Sequence, residues 1–194
     1  MTDFSRRATL AAAATAFVAP AFVAPAFVVP ALAAGTDAWG FKFPSIEDGL
    51  LTLADYRGRV LMVVNTASFC GFTYQYEALE KLHSDMSPRG LTVVGIPSQD
   101  FNQEKGSNGE VKAFCELTYG VQFPMAGITH VRGAQAHPFY QWVRAQQRGW
   151  EPDWNFNKVL IARDGSIAGH YGSSDEPTGR KLSAAVEQQL AVVA

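Results

Sequence analysis

Cys70 and Cys115 are the only cysteines among 194 residues, and the four histidines are scattered without metal-ligand spacing. Cys70 follows a short apolar run, Val60-Leu61-Met62-Val63-Val64. Runs of this length rich in β-branched residues read as buried strands. Beyond Cys70, residues Phe72, Tyr76, Leu79, Leu82 and Met86 recur at a helical period. This places Cys70 where a buried strand turns into a helix, among unpaired backbone N–H groups and the positive end of the helix dipole. A thiol so placed is expected to ionise below the free value of about 8.5, and the thiolate is the reactive form. The competing reading is a small buried core residue.

The remaining elements follow from pattern. Trp39 to Phe43 reads as an edge strand closed by Pro44, followed by a turn on Asp48-Gly49. Leu91 to Ile96 is a second buried strand, ended by Pro97. Ser107 to Tyr119 is a helix capped by Ser107 or Asn108, with Val111, Phe114, Cys115 and Thr118 on its apolar face. A further helix spans Ala136 to Gln147, where His137 reads as a packing or capping residue before Pro138. Lys158–Ala162 and Ser166–Tyr171 form a hairpin around Asp164-Gly165. The last helix carries Leu182, Ala185, Val186, Gln189, Leu190 and Val193. This order predicts an α/β, thioredoxin-like fold, a central mixed β-sheet flanked by helices.

Composition narrows the function. Hydrophobic residues make up 47% and charged residues 18%, as in a folded globule. A net charge of −2 without a basic block argues against a nucleic-acid partner. Two cysteines are too few for a disulfide scaffold, and no C-x-x-C pair exists. Ser5-Arg6-Arg7-Ala8-Thr9-Leu10 has the S-R-R-x-x-L form of a twin-arginine export signal. Uncharged Ala-rich sequence follows, with an A-x-A cleavage site at Ala31-Leu32-Ala33. Pro20, Pro25 and Pro30 oppose a retained spanning helix. Residues 1–33 are therefore expected to be an export signal. Residues 34–194 are expected to be a soluble mature domain, periplasmic or secreted.

Several segments in order resemble the glutathione peroxidase family in its cysteine form. Asn65-Thr66-Ala67-Ser68-Phe69-Cys70-Gly71-Phe72-Thr73 is similar to its nucleophile box. Gly95-Ile96-Pro97, Asp100-Phe101 and Gln103-Glu104 resemble its second box. Ala136-His137-Pro138-Phe139-Tyr140 and Trp154-Asn155-Phe156-Asn157-Lys158 resemble two further segments. The resemblance implies a peroxidase that needs no cofactor. Cys70 would attack a hydroperoxide and become a sulfenic acid. Gln103, Trp154 and Asn155 would supply hydrogen-bond donors around the sulfur and the departing oxygen. The loop before Gln103 is one residue shorter than the family pattern, and Lys105 replaces the usual Pro.

The family's resolving position on the next helix falls on Glu116, so Cys115 reads as a buried structural thiol. Its use as a resolving cysteine would need local unwinding. Gln75 stands where glutathione-specific relatives carry Arg. The short Arg144–Asp153 stretch resembles the monomeric, phospholipid-hydroperoxide-like branch. The implied partners are a hydroperoxide and a reductant, either a thioredoxin-like protein or a small thiol. Phe69, Phe72, Tyr74, Trp150 and Trp154 are candidates to line an open, apolar mouth. The alternative is a periplasmic redox sensor, or a thiol-oxidoreductase or binding module without peroxidase turnover.

Overall fold

The computed structural model describes residues 36–192. The expected export signal at residues 1–33, and Val193, lie outside the described residues. A short hairpin opens the fold. Strand β1 (Lys42–Pro44) pairs antiparallel with β2 (Leu50–Thr52). Asp48 and Gly49 both have positive φ, 73° and 75°, as a tight hairpin turn demands. Trp39 is not in the edge strand. It sits in a 3₁₀ turn, Ala38–Gly40, because the Asp37 carboxylate accepts from its backbone N–H at 2.9 Å.

The central sheet has the order β4-β3-β5-β6. Strand β3 (Val60–Thr66) runs parallel to β4 (Leu91–Pro97) and antiparallel to β5 (Lys158–Ile161). Strand β6 (Ile167–Tyr171) closes the far edge. Every residue of β3 and β4 is buried, so helices must cover both faces. Alternation along β3 sorts the core. Val60, Met62 and Val64 join one cluster with α1 (Gln75–Met86), α2 (Asn108–Tyr119) and α4 (Arg180–Ala191). Leu61 and Val63 join the other, with α3 (Pro138–Gln146) and the N-terminal hairpin.

Local chemistry sets the boundaries. Ser107 caps α2, accepting from the Glu110 N–H and donating to the Glu110 carboxylate at 2.8 Å. Gly120 ends α2 in the left-handed region at φ 63°. Val111 and Cys115 face the core as expected, but Thr118 is exposed, beyond the reach of the sheet. His137 caps α3, accepting at Nδ1 from the Phe139 N–H at 3.2 Å, and stacks on Phe43 at 4.0 Å. Among the described residues, no helix is long and apolar enough to cross a membrane.

Gly165 joins the β5–β6 turn to the N-terminal segment. Its carbonyl accepts from the Ala38 N–H at 2.8 Å, and its φ is +88°. A Cβ there would lie 2.5 Å from Trp39 Nε1. Gly165→Ala is expected to cost about 1–3 kcal/mol from backbone strain, before any steric cost. Urea unfolding of the variant should show a lower midpoint with an unchanged slope.

Candidate active site

The site assembles at the C-terminal end of β3. Asn65 is buried there and ties three backbone positions together. Its carbonyl accepts from the Phe156 N–H at 2.6 Å, its side-chain oxygen from the Asn157 N–H at 3.1 Å, and its Nδ2 donates to the Trp154 carbonyl at 2.9 Å. The Asn65 N–H in turn donates to the Asn157 carbonyl at 3.2 Å. The turn at 154–157 is sharp, and Phe156 sits at φ 60°. Burial of the Phe156 ring beside Tyr76, 5.4 Å away edge to face, holds this unfavourable backbone.

Cys70 follows β3 by four residues, but it does not begin the helix. Helix α1 starts only at Gln75. Residues 70–74 form successive tight turns, with the Thr73 N–H donating to the Cys70 carbonyl at 3.1 Å and the Gln75 N–H to Phe72 at 2.9 Å. Thr73 latches the turn, its hydroxyl accepting from the Cys70 N–H at 3.0 Å. The Cys70 side chain is 8% exposed, and its sulfur accepts from the Phe72 N–H at 3.4 Å. The donor beside the sulfur thus belongs to the turn rather than to a helix end.

The loop after β4 brings Gln103 alongside. The Phe69 N–H donates to the Gln103 carbonyl at 2.9 Å. The shortened loop closes on Gln99, whose side chain brackets Glu104, accepting from its N–H at 2.9 Å and donating to its carbonyl at 3.0 Å. Asn102 reaches φ 55° at the tightest point. Glu104 is buried, and its carboxylate accepts from the Ser68 and Lys105 N–H groups and from the Ser68 hydroxyl. Burial pushes its pKa up, while those hydrogen bonds pull the other way. Glu104 thereby pins Ser68, two residues before Cys70, to the Gln103 loop. Its carboxyl type and position were visible in the sequence, but its burial was not.

Gln103 and Asn155 meet directly. Asn155 is fully buried, and its Nδ2 donates to Gln103 Oε1 at 2.8 Å. Among the described residues no side chain hydrogen-bonds the Cys70 sulfur. The two amides bond to each other instead, because the Asn65-anchored turn and the Gln99-braced loop hold them face to face. Trp154 is 39% exposed, and its ring lies 5.3 Å from Phe101. Phe69 and Tyr74 are also exposed, at 63% and 52%. Lys105 sits over the Phe69 ring at 4.5 Å. Phe72 is only partly buried against the core, while Trp150 packs on the opposite cluster and stacks on His170 at 4.5 Å. Trp150 therefore belongs to the face away from the Cys70 cluster.

Cys115 is fully buried, and both cysteines are free thiols. Burial pushes the Cys115 thiol up to about 11. Gln75 is also fully buried and accepts from Lys158 Nζ at 2.7 Å, so it presents nothing to solvent. Among the described residues, no group of three acids, histidines or cysteines is placed to hold a metal ion.

A family model for glutathione peroxidase matches residues 39–144. The chain belongs to the glutathione peroxidase family. A relative from Synechocystis, hydroperoxy fatty acid reductase gpx1, is 38% identical over 167 residues, covering 81% of this chain and 98% of the relative. A crystal structure of Trgpx in apo form superposes with a TM-score of 0.65 at 33% identity, covering 82% of this chain and 99% of that one. A thioredoxin family thiol:disulfide interchange protein from Chlorobium tepidum gives a TM-score of 0.58 at 18% identity, covering 80% and 97%. That likeness carries the thioredoxin-like fold alone. Family membership makes the chain an oxidoreductase of the peroxidase class.

Asn65→Ala removes one donor and one acceptor from the buried tie between β3 and the 154–157 turn. It is expected to cost about 1–3 kcal/mol, because the buried Asn157 N–H loses its partner, while the Trp154 carbonyl still accepts from Asn157 Nδ2. Denaturant unfolding checks the stability, and faster amide exchange at Phe156 and Asn157 should locate the damage.

Proposed function

We propose that this protein is a thiol peroxidase that reduces hydrogen peroxide and lipid hydroperoxides at Cys70. The Cys70 thiolate attacks the nearer peroxide oxygen. An S–O bond forms, the O–O bond breaks, and the sulfur is oxidised to sulfenic acid. The leaving oxygen takes a proton and departs as alcohol or water. Gln103 and Trp154 supply neutral donors to the developing charge, and Asn155 orients Gln103. One observation carries this reading. The Phe69 N–H, one residue before Cys70, donates to the Gln103 carbonyl, and the Gln103 side chain accepts from the buried Asn155 amide, so the nucleophile segment and the amide pair are tied to one another. Preorganised neutral donors of this kind stabilise a transient anion without drawing a counter-ion into the site.

The substrate class follows from the exposed aromatics. Phe69, Tyr74 and Trp154 offer apolar surface suited to an acyl chain. The name of the Synechocystis relative, a hydroperoxy fatty acid reductase, supports the same class. The sulfenic acid is reduced from outside. One thiol of the reductant displaces water to give a mixed disulfide, and a second thiol resolves it. Burial and a raised pKa keep Cys115 from that role. A thioredoxin-like protein supplies both thiols in one partner, and two molecules of a small thiol are the alternative. The buried Gln75 offers no cationic grip on glutathione. The Arg6-Arg7 signal and the Ala31-Leu32-Ala33 site support export to the periplasm, where the mature domain acts as a monomer.

Intact mass after one equivalent of hydrogen peroxide tests the cycle. The mature protein and its Cys115→Ser variant should both gain one oxygen, on Cys70. A loss of two hydrogens in the parent alone would replace the external cycle with a Cys70–Cys115 disulfide. An unchanged mass would remove Cys70 as a peroxide-reactive group. Cys70→Ser should abolish steady-state peroxide consumption with any thiol reductant, while far-ultraviolet circular dichroism stays the same. One oxidation without turnover in the parent would favour a redox sensor.

A further inference from the structure

Lys158 opens β5, and its side chain is fully buried. Its Nζ donates to Gln75 Oε1 at 2.7 Å and to the carbonyls of Asp175 and Gly172 at 2.8 and 3.5 Å. All three acceptors are neutral. The nearby carboxylates are engaged elsewhere. Asp175 accepts from the Gly172 N–H at 3.0 Å and from Lys181, and Glu176 accepts from the Tyr74 hydroxyl at 2.7 Å. Strand β6 contributes Tyr171, whose ring lies under Lys181, and β3 contributes apolar Val64. A buried ammonium without a direct counter-ion persists only if its donors are satisfied, and three acceptors match its three N–H groups.

Those acceptors lie on two segments that meet behind the site. Gln75 is the first residue of α1, the helix that follows Cys70. Gly172 and Asp175 bound the turn that holds Ser173. The Ser173 hydroxyl donates to the Asn155 carbonyl at 2.6 Å and accepts from Asn157 Nδ2 at 3.1 Å. The Ser173 carbonyl accepts from Gln75 Nε2 at 2.7 Å. Lys158 therefore joins the helix after Cys70 to the turn that holds Asn155, whose amide holds Gln103.

We propose that Lys158 is a positioning residue whose ammonium clamps the Asn155 turn against the helix after Cys70, so that peroxide reduction requires the protonated form. The proposal rests on the peroxidase reading of Cys70. Burial pushes the Lys158 amine down to about 8. Below that pH the ammonium fills all three contacts. Above it the neutral amine keeps two donors and turns a lone pair toward a carbonyl, so one tie is lost. The clamp thus loosens as pH rises through the folded-state pKa.

Rapid-mixing measurement of Cys70 oxidation by hydrogen peroxide against pH tests this. The parent rate should fall on an alkaline limb with a midpoint near 8. Lys158→Met should be roughly ten- to a hundredfold slower at neutral pH, with no such limb, as expected for a misplaced donor set. A variant with the parent's rate and the parent's limb would overturn the proposal. A second measurement needs neither that variant nor turnover. In Cys70→Ser protein, the fluorescence of Trp154, isolated by difference against Trp154→Phe in the same background, should shift through the same pH window while circular dichroism stays constant. A flat Trp154 signal there would overturn the clamp. If parent Cys70 fails to react with peroxide at any pH, the peroxidase reading falls, and the fluorescence still decides whether the clamp exists.

Discussion

Asn65 carries the connection on which the rest of the site depends. Strand β3 ends there, and one buried amide with its own backbone meets Trp154, Phe156 and Asn157 at once. A polar side chain at a fully buried strand end is tolerable only because every group finds a partner. The reward is geometric. The segment that supplies Trp154 and Asn155 lies almost ninety residues away in sequence, yet it is fixed to the strand that leads into Cys70. The strained φ of Phe156 is the local cost of that junction, and burial of its ring offsets it.

Two buried ionisable groups reinforce the junction from opposite sides. Glu104 holds Ser68 and the Gln103 loop together, and Lys158 holds the first residue of α1 and the Ser173 turn. Neither is in a buried salt bridge. Lys158 meets neutral acceptors, and Glu104 Oε1 accepts from two backbone N–H groups and the Ser68 hydroxyl while its Oε2 stays buried without a partner, so position is fixed through directed hydrogen bonds rather than through diffuse attraction. Both groups carry pKa values displaced by burial, so the scaffold is coupled to pH as well as to packing.

The two thiols show how tertiary position divides identical chemistry. Cys70 sits in a turn latched by Thr73, with 8% of its surface exposed. Cys115 faces inward from α2 among the residues that cover the sheet, and burial raises its pKa. A thiolate is the nucleophile, so desolvation disfavours the reactive form of the second cysteine.

Much of this was legible in the chain itself. Apolar runs with β-branched residues marked β3 and β4, Asp48-Gly49 marked a turn, Asp164-Gly165 marked a hairpin, and Ser107 or Asn108 marked the start of α2. These signals are local, governed by backbone sterics and periodicity, and need no partner. The motif order around Cys70, Gln103 and Trp154-Asn155 likewise pointed to one family. Other features depended on atoms far apart in sequence. Trp39 left the expected strand because Asp37 captured its N–H. Thr118 fell outside the core because it lies in the last turn of α2, beyond the reach of the sheet. The helix after Cys70 began later than its apolar period suggested, since Thr73 closes tight turns first. The pairing of Gln103 with Asn155, the burial of Gln75, and the contacts of Glu104 and Lys158 were decided only by the folded chain. The reason is physical: a residue's type states which hydrogen bonds it can make, and the tertiary structure alone chooses which partners reach it and how much water is left.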